Sequence, residues 1–593
     1  YPVGENDSEE EKTYLSYNAV IGDSLDAKLY LGFEILNRVL FDAPGAPVKK
    51  ALMDAQIGKD IQSSYDNGIM QPVFSVIAQE ARDDQEDEFV KILEKNLAKI
   101  AKEGIPRRNL LAAFNYYEFK YREADYGPYP KGLMYYLTMM DSWLYDETKP
   151  FIHIEAGDTF DELKKDARNG YFEKLIKEYL LDNNHKSIIS LVPEYGLEKE
   201  KEQKEADKLA EYKSTLTNDE LEELVKKTKE LKEYQDTPSS QEDLEKIPML
   251  ELSDIKREPA KDYNDVKSVD GIKIVHHNIF TNKIAYINMS FDTKCVPDEL
   301  IPYMGLLGST LSLMDTKNYT YPELTNEINI NCGGLATGTA LYSDKVDFSK
   351  NTIVYEVKSK ALYEKVPFVL GMMEEIMYNT RFDDYKRLKE IIARIKSRLE
   401  ASLMGQGHSI AMLECCAQFS ESAYYSDILR GYKYYEFIKK LDEEFEQNKT
   451  QIVDKLNKLV GYIFNKDNVI VSLTADDEGY DCFVKALSAK SCNIKDEHYN
   501  TAVRSFIPVN VKTGYTSASQ VQYVARCGNF VKDGYKYTGA LKVLKVIFSY
   551  DYLWINVRVK GGAYGCMSGS SRNGDFYMVS YRDPNLEKTN DIY

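Results

Sequence analysis

The 593-residue chain carries 76 Lys and Arg against 95 Asp and Glu, a net charge of −19. Such a balance repels phosphate backbones, which excludes nucleic acid as a partner and favours a basic peptide. Hydrophobic residues make up 43% with no apolar run of membrane-spanning length, so a soluble protein of about four domains is expected, with no membrane partner.

The cysteines follow no framework spacing, and Cys415 and Cys416 are adjacent. That pattern writes neither a disulfide scaffold nor a paired Cys-x-x-Cys metal site, and it points to a reducing compartment. The first residue is Tyr1 and no basic-then-apolar leader follows it, so the chain reads as a piece of something longer.

Residues 1–195 alternate strand and helix patterns, with a strand over 14–21, helices over about 24–41, 87–103 and 160–181, and an apolar run at 184–192 that reads as a buried strand. Composition then shifts. From Leu197 to about Asp254 the chain is dense in Glu and Lys, while Leu221, Leu224, Val225 and Leu231 keep helical spacing. Thr217-Asn-Asp-Glu220 has the form of a capping box, so a helix is expected from there to about Gln235, with Pro238 and Pro248 beyond it. A charged helical hairpin over 196–262 is read as a linker between lobes or as a coiled-coil arm.

A third unit, 263–502, opens with an alternating strand after Val269, expected to pair with the strand over 283–293. A helix over about 298–313 and long helices to about Gly461 follow. A second apolar strand, 467–474, echoes the one at 184–192. The last unit, 503–593, begins with a strand over 521–527 and is about half the length of its counterpart, 1–195.

The counterpart is recognised by a weak internal repeat. Leu553-Trp-Ile-Asn-Val-Arg558-Val-Lys-Gly561-Gly562-Ala-Tyr564-Gly565 has a faint copy in Leu52-Met-Asp-Ala-Gln-Ile-Gly58-Lys-Asp60. Ungapped, Leu52 pairs with Arg558 and Gly58 with Tyr564. Only one copy keeps a guanidinium and a phenol.

The run Arg558-Val-Lys-Gly-Gly-Ala-Tyr-Gly565, the linker from Leu221 through Pro238 to Ile247-Pro248, and Pro44-Gly-Ala-Pro47 with Gly58-Lys-Asp60 resemble the pitrilysin/insulinase-like zinc metallopeptidases, presequence-protease (falcilysin-like) branch. The resemblance implies an α+β fold: repeated domains with antiparallel-rich sheets flanked by helices, in two lobes joined by a helical hairpin around a peptide-holding chamber. It implies a zinc metalloendopeptidase that degrades unstructured peptides such as cleaved targeting peptides, cytoplasmic if bacterial and mitochondrial or plastid if eukaryotic. In this family an inverted His-x-x-Glu-His on a helix of the first domain, with a distal Glu, holds the zinc.

That motif is absent. His153, His185, His276, His277, His408 and His498 include no pair four residues apart, and adjacent His276 and His277 in a strand point to opposite faces. In the third unit the corresponding helix has Leu306, Ser309 and Thr310 where ligands and base would sit. The resemblance therefore makes 263–502 a metal-free copy of the catalytic domain and puts the zinc ligands upstream of Tyr1, with this chain inactive alone and the catalytic domain its partner. By position it makes Arg558 and Tyr564 substrate-binding, beside Gly561 and Gly562, which let a peptide approach closely. The alternative is a catalytically inactive peptide-binding or assembly subunit of the same fold.

Overall fold

The computed structural model describes residues 1–3, 9–258, 261, 263–348, 350–490, 493–517 and 521–593. Strand β1 (Pro2–Val3) pairs in parallel with β6 (Glu194–Tyr195). Between them β2 (Thr13–Val20), β3 (Asp60–Asp66), β4 (Val73–Ala81) and β5 (Lys186–Leu191) form an antiparallel sheet ordered β3-β4-β2-β5. Period-2 alternation turns Leu15, Tyr17 and Ala19 of β2 inward, where they meet Phe33, Phe74, Phe89 and Phe172. The helix expected over 24–41 begins at Ala27, because Asp26 caps the Lys28 and Leu29 amides, and its last turn, Arg38–Asp42, is π-helical. The helix expected over 160–181 is broken, since Gly170 adopts a left-handed φ of 77° after Gly157–Asp166.

Strand β5 corrects the sequence expectation. It lies at a sheet edge with Ile188, Ile189 and Leu191 exposed, so its apolar run is not buried.

The linker is three helices, Leu197–Thr215, Asn218–Asp236 and Gln241–Glu245, none of which buries a residue. The middle one starts on the expected capping box: Thr217 N donates to Glu220 Oε2 at 2.8 Å and Glu220 N to Thr217 Oγ1 at 3.3 Å. With no apolar face buried, these helices are held by caps and i,i+4 pairs such as Glu223–Lys227.

The third unit holds β7 (Asp265–Val269), β8 (Ile272–Asn278), β9 (Ile284–Asp292), β10 (Leu335–Ser343), β11 (Asn351–Leu362) and β12 (Val469–Ala475), ordered β10-β11-β9-β12-β8-β7. The opening strands β8 and β9 are not neighbours as expected. The late strand β12 inserts between them, parallel to β8 and antiparallel to β9. The reason is burial: Val471 and Leu473 have no exposed surface, and only a central position covers both faces. The last sheet is β13 (Ala525–Asn529), β15 (Asp575–Tyr581) and β14 (Gly565–Ser570), with β15 central. Its first strand begins at Ala525, not 521.

The first and third units meet along helices Arg107–Glu123 and Tyr321–Asn331. The seam is polar: Arg108 pairs with Glu327, Asn326 Nδ2 donates to Asn109 Oδ1 at 3.0 Å, and Asn115 Nδ2 donates to Ile330 O at 3.1 Å. No helix among the described residues is long and apolar enough to cross a membrane.

Candidate functional site

Arg558 and Tyr564 lie at the end of a π-helical segment, Phe548–Val559, and in the turn that follows it. Leu553 and Val557 are its fully buried anchors, which leaves Trp554 and Arg558 on the outward side. The Arg558 guanidinium stacks 4.0 Å from the Trp554 ring centroid, and its Nη1 donates to the Tyr564 carbonyl at 2.9 Å. The Tyr564 ring is 65% exposed and stands edge-on to Tyr581 at 5.8 Å. The two predicted site residues are thus together, on one open surface.

The glycines between them make this possible. A Cβ on Gly561 would lie 2.4 Å from the Val557 carbonyl oxygen, and Gly562 has a left-handed φ of +83°. Gly562 N then donates to Arg558 O at 2.8 Å, closing the helix, while Asn585 Nδ2 holds Gly561 O at 2.6 Å. Their role here is to shape the turn that presents Arg558 and Tyr564.

The first unit builds the same turn after helix Pro47–Asp54. Gln56 is left-handed (φ 58°) where Gly562 is, and buried Ile57 matches buried Ala563. Ile57 N donates to Leu52 O at 3.1 Å, and Ala563 N to Val557 O at 3.1 Å. Leu52 therefore corresponds to Val557, and the ungapped pairing of Leu52 with Arg558 is off by one. Gln56 N returns to Met53 O where Gly562 N returns to Arg558 O, so Met53 is the counterpart of Arg558 and the second turn carries one extra residue. Gly58 remains opposite Tyr564. A Cβ on Gly58 would lie 2.5 Å from Gln79 O, so the first copy has no room for a ring there.

Two contributors escaped the sequence reading. Trp554 stands four residues before Arg558, the spacing that puts one side chain over another on a helix. Lys560, inside the turn, forms an ion pair with Asp236 at the end of the linker's middle helix.

The residues present do not fit a peptidase zinc centre. Leu306 and Thr310 of helix Ile301–Thr310 are fully buried, and Thr310 Oγ1 donates to Leu307 O at 3.1 Å. The helix is packed too tightly for a metal, since a Cβ on Gly305 would lie 2.7 Å from the Tyr434 ring. His276 is engaged by Lys267 Nζ at 3.1 Å and Ala475 O at 3.0 Å, and His277 by Tyr263 O and Ser472 Oγ. Among the described residues only Asp467, Asp496 and His498 bring three ligand atoms close together, and all three are exposed.

Comparisons with known proteins define the class. Residues 191–441 match a peptidase-associated family model from the metallopeptidase clan of the presequence proteases, and residues 514–593 match "PreP C-terminal domain". These matches place the chain in the pitrilysin/insulinase-like peptidase family. Within it the chain is similar over its full length to Protein HypA of Clostridium perfringens (40% identity, 61% of that protein) and to Presequence protease 1, chloroplastic/mitochondrial, of Arabidopsis thaliana (28%, 56%). It matches the mitochondrial presequence protease of Drosophila melanogaster at 24% identity, with 94% of this chain and 53% of that protein covered. The chain thus spans between about half and six-tenths of the length of the curated relatives it matches. A solved pitrilysin structure aligns with 96% of the chain and 57% of its own at 12% identity and a TM-score of 0.41, too slight a likeness to carry weight.

Proposed function

We propose that this chain supplies the chamber wall, the linker and the substrate clamp of a zinc-dependent endopeptidase that degrades unstructured peptides, with the zinc ligands on a domain outside these residues. One observation carries the reading: Arg558 and Tyr564 stand side by side on an open surface, fixed by a glycine turn whose first-unit copy has neither group. The guanidinium commits one donor to Tyr564 O and keeps others for a peptide carbonyl or carboxylate. No hydrogen bond is recorded for the Tyr564 hydroxyl among the described residues, which leaves it free to donate to a carbonyl oxygen that gains charge during peptide-bond attack. The net charge of −19 favours basic peptides.

Residues 197–254 act in this reading as the hinge between lobes, because they bury nothing and impose no fixed angle. The test is kinetic. In the full-length protein Arg558→Ala must lower kcat/KM for an unstructured peptide while fold and metal content stay intact, and wild-type efficiency in that variant refutes the clamp.

A further inference from the structure

The free cysteines among the described residues differ in kind. Cys295 Sγ donates to Tyr462 O at 3.2 Å and Cys332 Sγ to Ile328 O at 3.0 Å, and burial pushes both thiols up. They behave as small apolar residues that fill the core. Cys415, Cys416 and Cys527 form a group instead. Helix Gly407–Ala417 packs along β13 and β15, and successive helical positions point about 100° apart, so Cys415 and Cys416 flank Cys527 at the middle of β13. The Cys527 thiol is in hydrogen-bond contact with both and lies 3.7 Å from Met412 O. Cys416 is buried, whereas Cys415 and Cys527 are partly exposed.

We propose that Cys415 and Cys527 are a redox-active dithiol, a modification site at which exchange with a small-molecule disulfide cross-links helix Gly407–Ala417 to β13. The contact with Cys527 holds the Cys415 thiol down at about 7, so much of it is thiolate at neutral pH. Cys415 thiolate attacks one sulfur of the small disulfide and expels one thiolate. Cys527 then loses its proton, attacks the Cys415 sulfur of the mixed disulfide and expels the second small thiolate. Two protein thiols are oxidised to one disulfide and one small disulfide is reduced to two thiols, which balances atoms and electrons. Adjacent Cys415 and Cys416 are poor partners for each other, because neighbouring Cα atoms are about 3.8 Å apart and a disulfide spans about 4.4 Å or more.

The cross-link would fasten the last sheet to the third unit. The same helix carries His408, which stands edge-on to Tyr581 at 4.9 Å, and Tyr581 in turn touches Tyr564. The site stands on its own sulfur geometry, whatever Arg558 and Tyr564 bind.

The experiment uses the reduced 593-residue chain with glutathione disulfide, acid quench, alkylation, digestion and peptide mapping by mass spectrometry. The expected product is a Cys415–Cys527 linked peptide, which persists in Cys416→Ser. In Cys527→Ser the reaction should stop at a glutathione adduct on Cys415. With iodoacetamide, Cys415 should react at least about tenfold faster than Cys295 or Cys332. Far-ultraviolet circular dichroism matching wild type shows that the variants are folded. Absence of a Cys415–Cys527 peptide in the folded wild-type chain, or a link that vanishes in Cys416→Ser, overturns the proposal.

Discussion

Arg558 holds the place in the last unit that Met53 holds in the first: each offers its carbonyl to the left-handed residue that ends the helix, Gly562 at 2.8 Å and Gln56 at 3.0 Å. One half-buried position is thus a thioether in one copy and a guanidinium in the other, which provides an internal control for the clamp. In the full-length protein Arg558→Ala and Tyr564→Phe should each lower kcat/KM on the order of a hundred- to a thousandfold if a transition-state donor is lost. Arg558→Lys should not rescue, because an ammonium lacks the planar fork. Met53→Ala should lower stability and leave the chemical step alone. Steady-state kinetics beside thermal unfolding separates the two effects.

The turn itself is expected to resist substitution. Gly561→Ala drives a methyl against the Val557 carbonyl oxygen and should cost about 2 kcal/mol or more. Gly562→Ala has the space it needs but must hold a left-handed backbone, at about 1–2 kcal/mol, and Gly562→Asn should cost less. Thermal melting of the three variants ranks them, and an order with Gly561→Ala mildest contradicts this account.

Two buried groups give the first unit opposing responses to pH. His153 stacks 3.8 Å from Tyr30, and burial holds its pKa down at about 4 despite a main-chain contact from Ser24. An unfolded histidine titrates near about 6.5. Between these values the unfolded chain binds a proton the folded chain refuses, so stability present above about pH 6.5 is lost as pH falls towards 4, on the order of 3 kcal/mol. Glu34 acts the other way. Burial raises its carboxyl from 4.5 to about 7, so its contribution is complete below about 4.5 and is lost as pH rises to about 7. Urea unfolding at several pH values should show a flatter acid limb in His153→Gln and a flatter limb between about 4.5 and 7 in Glu34→Gln.

The chain alone should bind no stoichiometric zinc and cleave no peptide. Its histidines are dispersed, and the one close ligand trio among the described residues, Asp467, Asp496 and His498, lies on the surface. Metal analysis after dialysis, with a peptide cleavage assay, checks this. One tightly held zinc per chain would move the metal centre into these residues.

How much was legible in the sequence depended on range. The capping box at Thr217 and Glu220 is written within four residues, and it forms as read. The repeated turn was visible through Gly58 and Tyr564, yet the helical register was one residue off, because the extra residue near Gly561 shows only in where the main-chain bonds return. Strand β5 looked buried because Ile188, Ile189 and Leu191 resemble a core run, but nothing local tells an edge from a centre. Trp554 gave a spacing signal. The Asp236–Lys560 pair gave none, since its partners meet only through the tertiary fold.

The insertion of β12 between β8 and β9 also governs how this protein is made. Residues 469–475 reach the sheet nearly two hundred positions after the strands they separate. On the ribosome β8 and β9 must wait with open hydrogen-bonding edges and with Ile274, Ile287 and Met289 lacking their final cover. A nascent chain paused before Val469 is a template for foreign strands, and chaperone protection matters most in that interval. The centre of the largest sheet is thus closed by the strand that emerges last.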